Sequence, residues 1–218
     1  LAGNEVQALT FEGGDGGDAL WVATDGGVSV LSFDSDGVSS SESYTSEDGL
    51  LDNLVTDVAV DPHGARFFAT AGGLNWFHGG QMDTIKYEEY YSYIFNSEIR
   101  DLHIFADTLY LAQDGGIGRL VAGVDAVSGA SRWDGEYGVS PFSTDIRSSL
   151  VKGESMQYFA TDAGLETHVG YLAKQGWELL TTTACQSLVG WDESLVADLG
   201  TGGLWSHNGM DWSLMTMW

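Results

Sequence analysis

Two arginines and two aspartates stand at matching places in related segments of this 218-residue chain. Aligning the segments on Val6, Val55, Ile99, Ile146 and Cys185 puts Gln7, Thr56, Arg100, Arg147 and Gln186 at the next position. The position after that holds Ala8, Asp57, Asp101, Ser148 and Ser187, so neither carries a bulky apolar side chain. Adjacent guanidinium groups can grip a carboxylate or sulfate bidentately, and only five arginines exist in the chain to do so. The competing reading has Arg100 and Arg147 neutralised by Asp57, Asp101 or Asp145. Just upstream, YEEYYSYIFNSE and WDGEYGVSPFSTD supply Tyr90, Tyr91, Tyr93, Phe95, Tyr137 and Phe142, rings that can stack on a sugar or anchor a protein. The expected recognition set is therefore Arg100, Arg147, Asp57, Asp101, Tyr91, Tyr93 and Tyr137.

Other chemistries are poorly served. Asp57 and Asp101 could be the acid and base of a glycosidase, which needs two carboxyl groups about 5–10 Å apart with one pKa raised, but the equivalent position in the fourth segment is Ser148. No GxSxG, HExxH or paired-cysteine motif is present, so no catalytic residue, metal or cofactor is expected. The acidic stretches GGDGGD at 13–18 and DSDG at 34–37 could offer oxygens to calcium. DSDG lacks a downstream bidentate glutamate, and Asp-Gly is equally the composition of a hairpin turn, which is the expected role. His168 and His207 share the place of Leu31, Phe77 and Leu120 in their segments, which favours packing over a shared metal site. Cys185, the single cysteine, reads as a small buried apolar residue.

These residues must be positioned by a repeated element. Five copies of it are LWVATDGGVSVL (20–31), RFFATAGGLNWF (66–77), LYLAQDGGIGRL (109–120), QYFATDAGLETH (157–168) and LVADLGTGGLWSH (195–207). In each, an apolar run reaches a turn and a second strand leaves after Gly27, Gly73, Gly116, Gly164 or Gly203. Such a turn needs positive φ, free of steric cost for glycine and tolerated by aspartate, so Asp25, Asp114 and Asp162 fit as turn residues. A further strand precedes each hairpin, and another follows it with one aromatic: Tyr44, Tyr87, Trp133, Trp177 or Trp212. Four short strands repeated every 39 to 48 residues, with no helical periodicity, predict an all-β propeller of five four-stranded blades. The aromatics of the outermost strands then wedge between blades. Expected blade limits within the single domain 1–218 are 1–54, 55–97, 98–144, 145–184 and 185–218. Because the first unit has its own inner strand and the last its own outer one, a closed ring without strand exchange is expected, with an arc of a larger ring as the alternative.

The second unit, YTSEDGLLDNLVTDVAVDPHGARFFATAGGLNWF, resembles the two-component regulator propeller repeat. The matching residues are Gly49 and Leu50, Asn53 and Val55, Asp61 and Gly64, then Gly73 and Leu74. That resemblance implies the propeller fold and a place among periplasmic sensing parts of hybrid sensor kinases, which usually carry many more repeats.

Charge narrows the partners. Thirty-two acidic against eight basic residues give a formal net charge of -24, a field that repels nucleic acid and anionic membrane surfaces. No apolar run is long enough to span a bilayer, so membrane insertion is not expected. The start at Leu1, without methionine or signal pattern, reads as a processed, trimmed or incomplete end, and export to an extracellular or periplasmic site is the expectation. Together these features predict a non-enzymatic binding module of sensory or adhesion type for a glycan or protein partner. The alternatives are a structural subunit of a larger cell-surface assembly and a carbohydrate-active enzyme.

Overall fold

The structure is a computed structural model describing residues 1–14, 17–85, 98–106, 108–114, 116–122, 133–138, 145–152, 156–169, 177–191, 194–208 and 211–215. Among these residues, five antiparallel sheets of four strands follow one another along the chain, each built from four consecutive strands. Blade 1 comprises β1 (Val6–Glu12), β2 (Asp18–Thr24), β3 (Gly27–Asp34) and β4 (Gly37–Tyr44), and blade 2 comprises β5 (Val55–Val60), β6 (Arg66–Thr70), β7 (Gly73–His78) and β8 (Gln81–Ile85). Blade 3 comprises β9 (Ile99–Phe105), β10 (Thr108–Gln113), β11 (Gly116–Ala122) and β12 (Trp133–Gly138). Blade 4 holds β13 (Ile146–Lys152), β14 (Met156–Thr161), β15 (Leu165–Val169) and β16 (Trp177–Thr181), and blade 5 holds β17 (Ser187–Trp191), β18 (Ser194–Asp198), β19 (Leu204–His207) and β20 (Trp212–Leu214). The all-β propeller expected from the repeat is the observed fold, with no exchange of strands between blades among the described residues.

The motif residues of the repeat each have a local task. Gly27, Gly73, Gly116, Gly164 and Gly203 all take positive φ, as the hairpin turns require. The turn aspartates do not share that conformation. Asp25 instead accepts the main-chain N–H groups of Asn4 and Glu5 at 2.8 and 3.0 Å. Capping of the turn falls to a residue type the sequence reading passed over: the Oγ1 of Thr24, Thr70 and Thr161 donates to the carbonyls of Gly27, Gly73 and Gly164 at 2.7–2.9 Å. In the stretch between blades 1 and 2, Gly49 ends a single 3-10 turn with φ 108°, Leu50 is buried and Asn53 Oδ1 accepts the Ser46 N–H at 2.7 Å. Asp61 Oδ1 accepts from His63 and Ala65, closing the β5–β6 turn around Gly64.

Alternate residues of the middle strands point into the gaps between blades, where apolar burial supplies the cohesion. Val28, Val55, Val58, Phe68 and Trp21 form one such layer between blades 1 and 2. Ala69, Leu74, Ile99, Leu109, Leu111 and Leu120 form the next, and Ala160, Leu165, Cys185, Leu195 and Ala197 join blades 4 and 5. Tyr44 wedges as expected, with its ring 6.3 Å from Trp21 and 5.2 Å from Phe77 of the following blade. Cys185 is buried, and burial first of all pushes its thiol up to about 12. His168 is fully buried, while His207 lies 4.7 Å from the ring of Trp212.

The closed ring is not found. Inner strands pack in succession, β1 on β5, β5 on β9, β9 on β13 and β13 on β17, and no comparable packing joins β17 to β1 among the described residues. On the free side of β1, Leu9 and Phe11 are 58% and 62% exposed, and on the free side of β17 Val189 is 55% exposed. The described blades therefore form an open arc. Repeat spacing fixes the strands within a blade; closure depends on the angle between blades, which the side chains of the gaps set.

Candidate functional site

The polar tier seen in the sequence is produced by a recurrent backbone irregularity. In blade 1, Val6 faces Thr24 and Ala8 faces Ala23, which leaves Gln7 as an extra residue. The same shift occurs between Val55 and Asp57, between Ile99 and Asp101, and between Ile146 and Ser148. Thr56, Arg100 and Arg147 are thus bulge residues too. A bulge disrupts the local ladder and re-aims the side chain it carries, so four polar residues leave the sheets at one end of the inner strands.

Arg100 and Arg147, from neighbouring blades, converge on one carboxylate. Arg100 Nη1 pairs with Asp145 Oδ1, while Arg147 Nη2 lies 3.2 Å from Asp145 Oδ2. Arg147 Nη1 also donates to Gln186 Oε1 of blade 5 at 2.8 Å, and Glu98 lies 3.5 Å from Arg100 Nε at the exposed edge. Of the three partners considered, Asp145 is the one that receives the guanidinium groups. Each arginine side chain keeps about a quarter of its surface open, 27%, so the cluster forms a rim and not a sealed core.

Asp57 and Asp101 do something else. Asp57 Oδ2 accepts the Leu102 N–H of the next blade at 2.6 Å, and its Oδ1 accepts the N–H of Val58 at 2.8 Å. Asp101 Oδ2 accepts the N–H of Ser149 at 2.9 Å, and Oδ1 accepts the Ser148 hydroxyl at 3.3 Å. One blade further on, Ser148 Oγ accepts the N–H of Leu188 at 3.3 Å. A side chain at the same position of three successive inner strands thereby ties each blade to the backbone of the next. Burial raises the pKa of both carboxyl groups, and the charge of Asp101 raises Asp57 further against the opposing pull of its two N–H bonds.

Tyr91 and Tyr93 lie outside the described residues, as do Tyr90, Phe95 and Phe142; for Tyr137 only the backbone is described, paired with Gly118 in β12. Of the two acidic stretches, the first lies partly outside the described residues, while Asp34 of the second accepts the Asp36 N–H at 2.8 Å within its turn. Among the described residues, no three His, Cys, Asp or Glu side chains are grouped as metal ligands, and no helix is long and apolar enough to cross a membrane.

No family model matches the chain, and no curated protein matches it in sequence. Solved structures do match in fold. PorZ, an essential bacterial surface component of the type-IX secretion system of Porphyromonas gingivalis, superposes with a TM-score of 0.70 at 13% identity, over 95% of this chain and 27% of that one. The extracellular domain of a putative hybrid two-component system from B. thetaiotaomicron gives 0.69 at 16% identity, over 99% of this chain and 29% of that one. Virginiamycin B lyase from Staphylococcus aureus gives 0.54 at 11%, over 97% and 85%. The chain thus spans little more than a quarter of the first two structures. The likeness to a two-component extracellular domain accords with the regulator propeller repeat that the second blade resembles.

Proposed function

We propose that this chain is a non-enzymatic, exported binding module of sensory or adhesion type, recognising a glycan or a protein at the rim that carries Arg100 and Arg147. The observation supporting this reading is how the inner-strand carboxylates are used. All four oxygens of Asp57 and Asp101 accept hydrogen bonds, three of the acceptors meeting backbone N–H groups, so the pair closest to a hydrolytic arrangement is committed to joining blades. Among the described residues accessible at that end are the arginine pair with Asp145 and Gln186, framed in the sequence by Tyr91, Tyr93 and Tyr137. A charged rim whose flanking sequence is rich in aromatic residues suits recognition better than bond cleavage. Kinship in fold with an extracellular two-component domain and with a secretion-system surface component agrees with an extracellular or periplasmic setting. The second of these also keeps a structural-subunit role as the alternative.

The test is a glycan array and a pull-down with the intact chain, repeated with Arg147→Ala and Tyr93→Ala, alongside melting temperatures. Recognition at the rim predicts binding that weakens roughly 10- to 100-fold, in line with loss of a charge-assisted hydrogen bond of about 1.5–3 kcal/mol, while the melting temperature changes little. Unchanged affinity in both variants moves the site elsewhere, and glycan hydrolysis lost in Asp57→Asn would establish the enzymatic reading.

A further inference from the structure

A groove lies between blades 1 and 2, reaching Glu12 at the end of β1 opposite to the arginine rim. Two neighbouring hollows of about 480 and 310 Å³ share Glu42, Tyr44 and Phe77 as walls. The smaller is completed by Glu12, Trp21 and Arg66 and the larger by Asp48 and Met82.

The smaller hollow already holds a cation. The Arg66 guanidinium sits 5.5 Å from the centre of the Trp21 ring, and it is clamped by Glu12, whose Oε2 lies 3.1 Å from Arg66 Nε and also accepts the Trp21 indole N–H at 2.6 Å. An aromatic face and a carboxylate thus act together on one positive charge, the combination that favours a partly desolvated cation. The larger hollow repeats these components without the cation. Tyr44 and Phe77 provide ring surface at 5.2 Å from each other, Glu42 receives the Tyr44 hydroxyl at 3.3 Å, and Asp48 is held in place by the N–H and hydroxyl of Thr45 at 2.9 and 3.0 Å. No arginine or lysine pairs with Glu42 or Asp48 among the described residues. Burial, followed by the charge of Glu42, pushes the Tyr44 phenol above its ordinary range, against the opposing charge of Arg66.

We propose that the larger hollow receives a basic side chain, lysine or arginine, presented by a protein partner. Its volume accommodates one such side chain, its walls pair aromatic surface with two carboxylates that form no ion pair with a described arginine or lysine, and the chain's net charge of -24 steers a basic partner toward it. The lining is rich in acceptors and carries two carboxylates, which disfavours an anion. This site is separate from the arginine rim, and neither reading depends on the other.

Calorimetric titration of the intact chain with a lysine–glycine peptide, and with the same peptide acetylated on its lysines, tests the proposal. Because an acidic protein attracts any basic peptide, the deciding variants are Tyr44→Leu, which leaves the charge unchanged, Glu42→Gln on the exposed strand β4, and Asp36→Asn as a remote carboxylate control. Saturable binding that falls about 5- to 10-fold in both Tyr44→Leu and Glu42→Gln, is unaffected in Asp36→Asn and disappears on acetylation is the expected result. Equal losses in Glu42→Gln and Asp36→Asn, or undiminished binding of the acetylated peptide, would overturn it. Glu42→Gln decides alone if Tyr44→Leu unfolds.

Discussion

Asp57 and Asp101 occupy the same step of successive inner strands, and the charge on Asp101 opposes ionisation of Asp57. Burial is the larger cause, and together they move Asp57 from an ordinary 3.8 to about 8. The folded chain therefore binds a proton that the unfolded chain has already released, so stability falls as pH rises from about 4 to about 8. Thermal melts across that range, in salt high enough to screen surface repulsion, should show a decline that is flatter in Asp57→Asn. A slope identical in the variant would remove Asp57 as its origin.

Removing one tie between blades has a definite cost. Asp101→Ala leaves the Ser149 N–H without its acceptor in a part-buried setting, which should lower stability by about 1–3 kcal/mol in urea denaturation. Ser148→Ala removes a hydroxyl that receives the Leu188 N–H at 3.3 Å, and its effect should sit near the lower end.

Two hairpin glycines should be far less replaceable than a third. At Gly27 and Gly164, with φ 133° and 145°, an added Cβ would overlap the carbonyl oxygens of Tyr44 and Thr181 and push the outer strands away. Gly37 has φ 120° but nothing within 4 Å of that position. Alanine at Gly37 should cost only the backbone strain, about 1–3 kcal/mol, and alanine at either of the others distinctly more by chemical denaturation.

The free flanks of the arc should govern self-association. Phe11→Ser and Val189→Ser replace apolar side chains that are more than half exposed, so stability should shift by no more than about 0.5 kcal/mol. Sedimentation at rising concentration should show weaker association in the double variant than in the parent chain, since exposed apolar patches promote it.

Legibility in the sequence followed the range of the forces involved. Blade architecture was readable because turn glycines and alternating apolar strands are local signals, and Gly27 through Gly203 have the positive φ that their spacing implied. The tier at Thr56, Arg100 and Arg147 was visible as a row of polar residues, yet the bulge that exposes it leaves no mark in composition. Thr24, Thr70 and Thr161 could have been found, since each stands three residues before its marker glycine. Closure of the ring could not, because it depends on angles across every gap. Nor could the groove at Tyr44, which is assembled from strands β4, β7 and β8 and two turns of two blades.

Among the described residues each inner strand packs on its neighbours in sequence, so the arc behaves as a one-dimensional chain of units. Opening then begins at the ends and moves inward, and amide hydrogen exchange should grade from least protected in blades 1 and 5 to most protected in blade 3. The cooperativity of such a chain of units is set by the interfaces between them, and so by whatever occupies the flanks of β1 and β17.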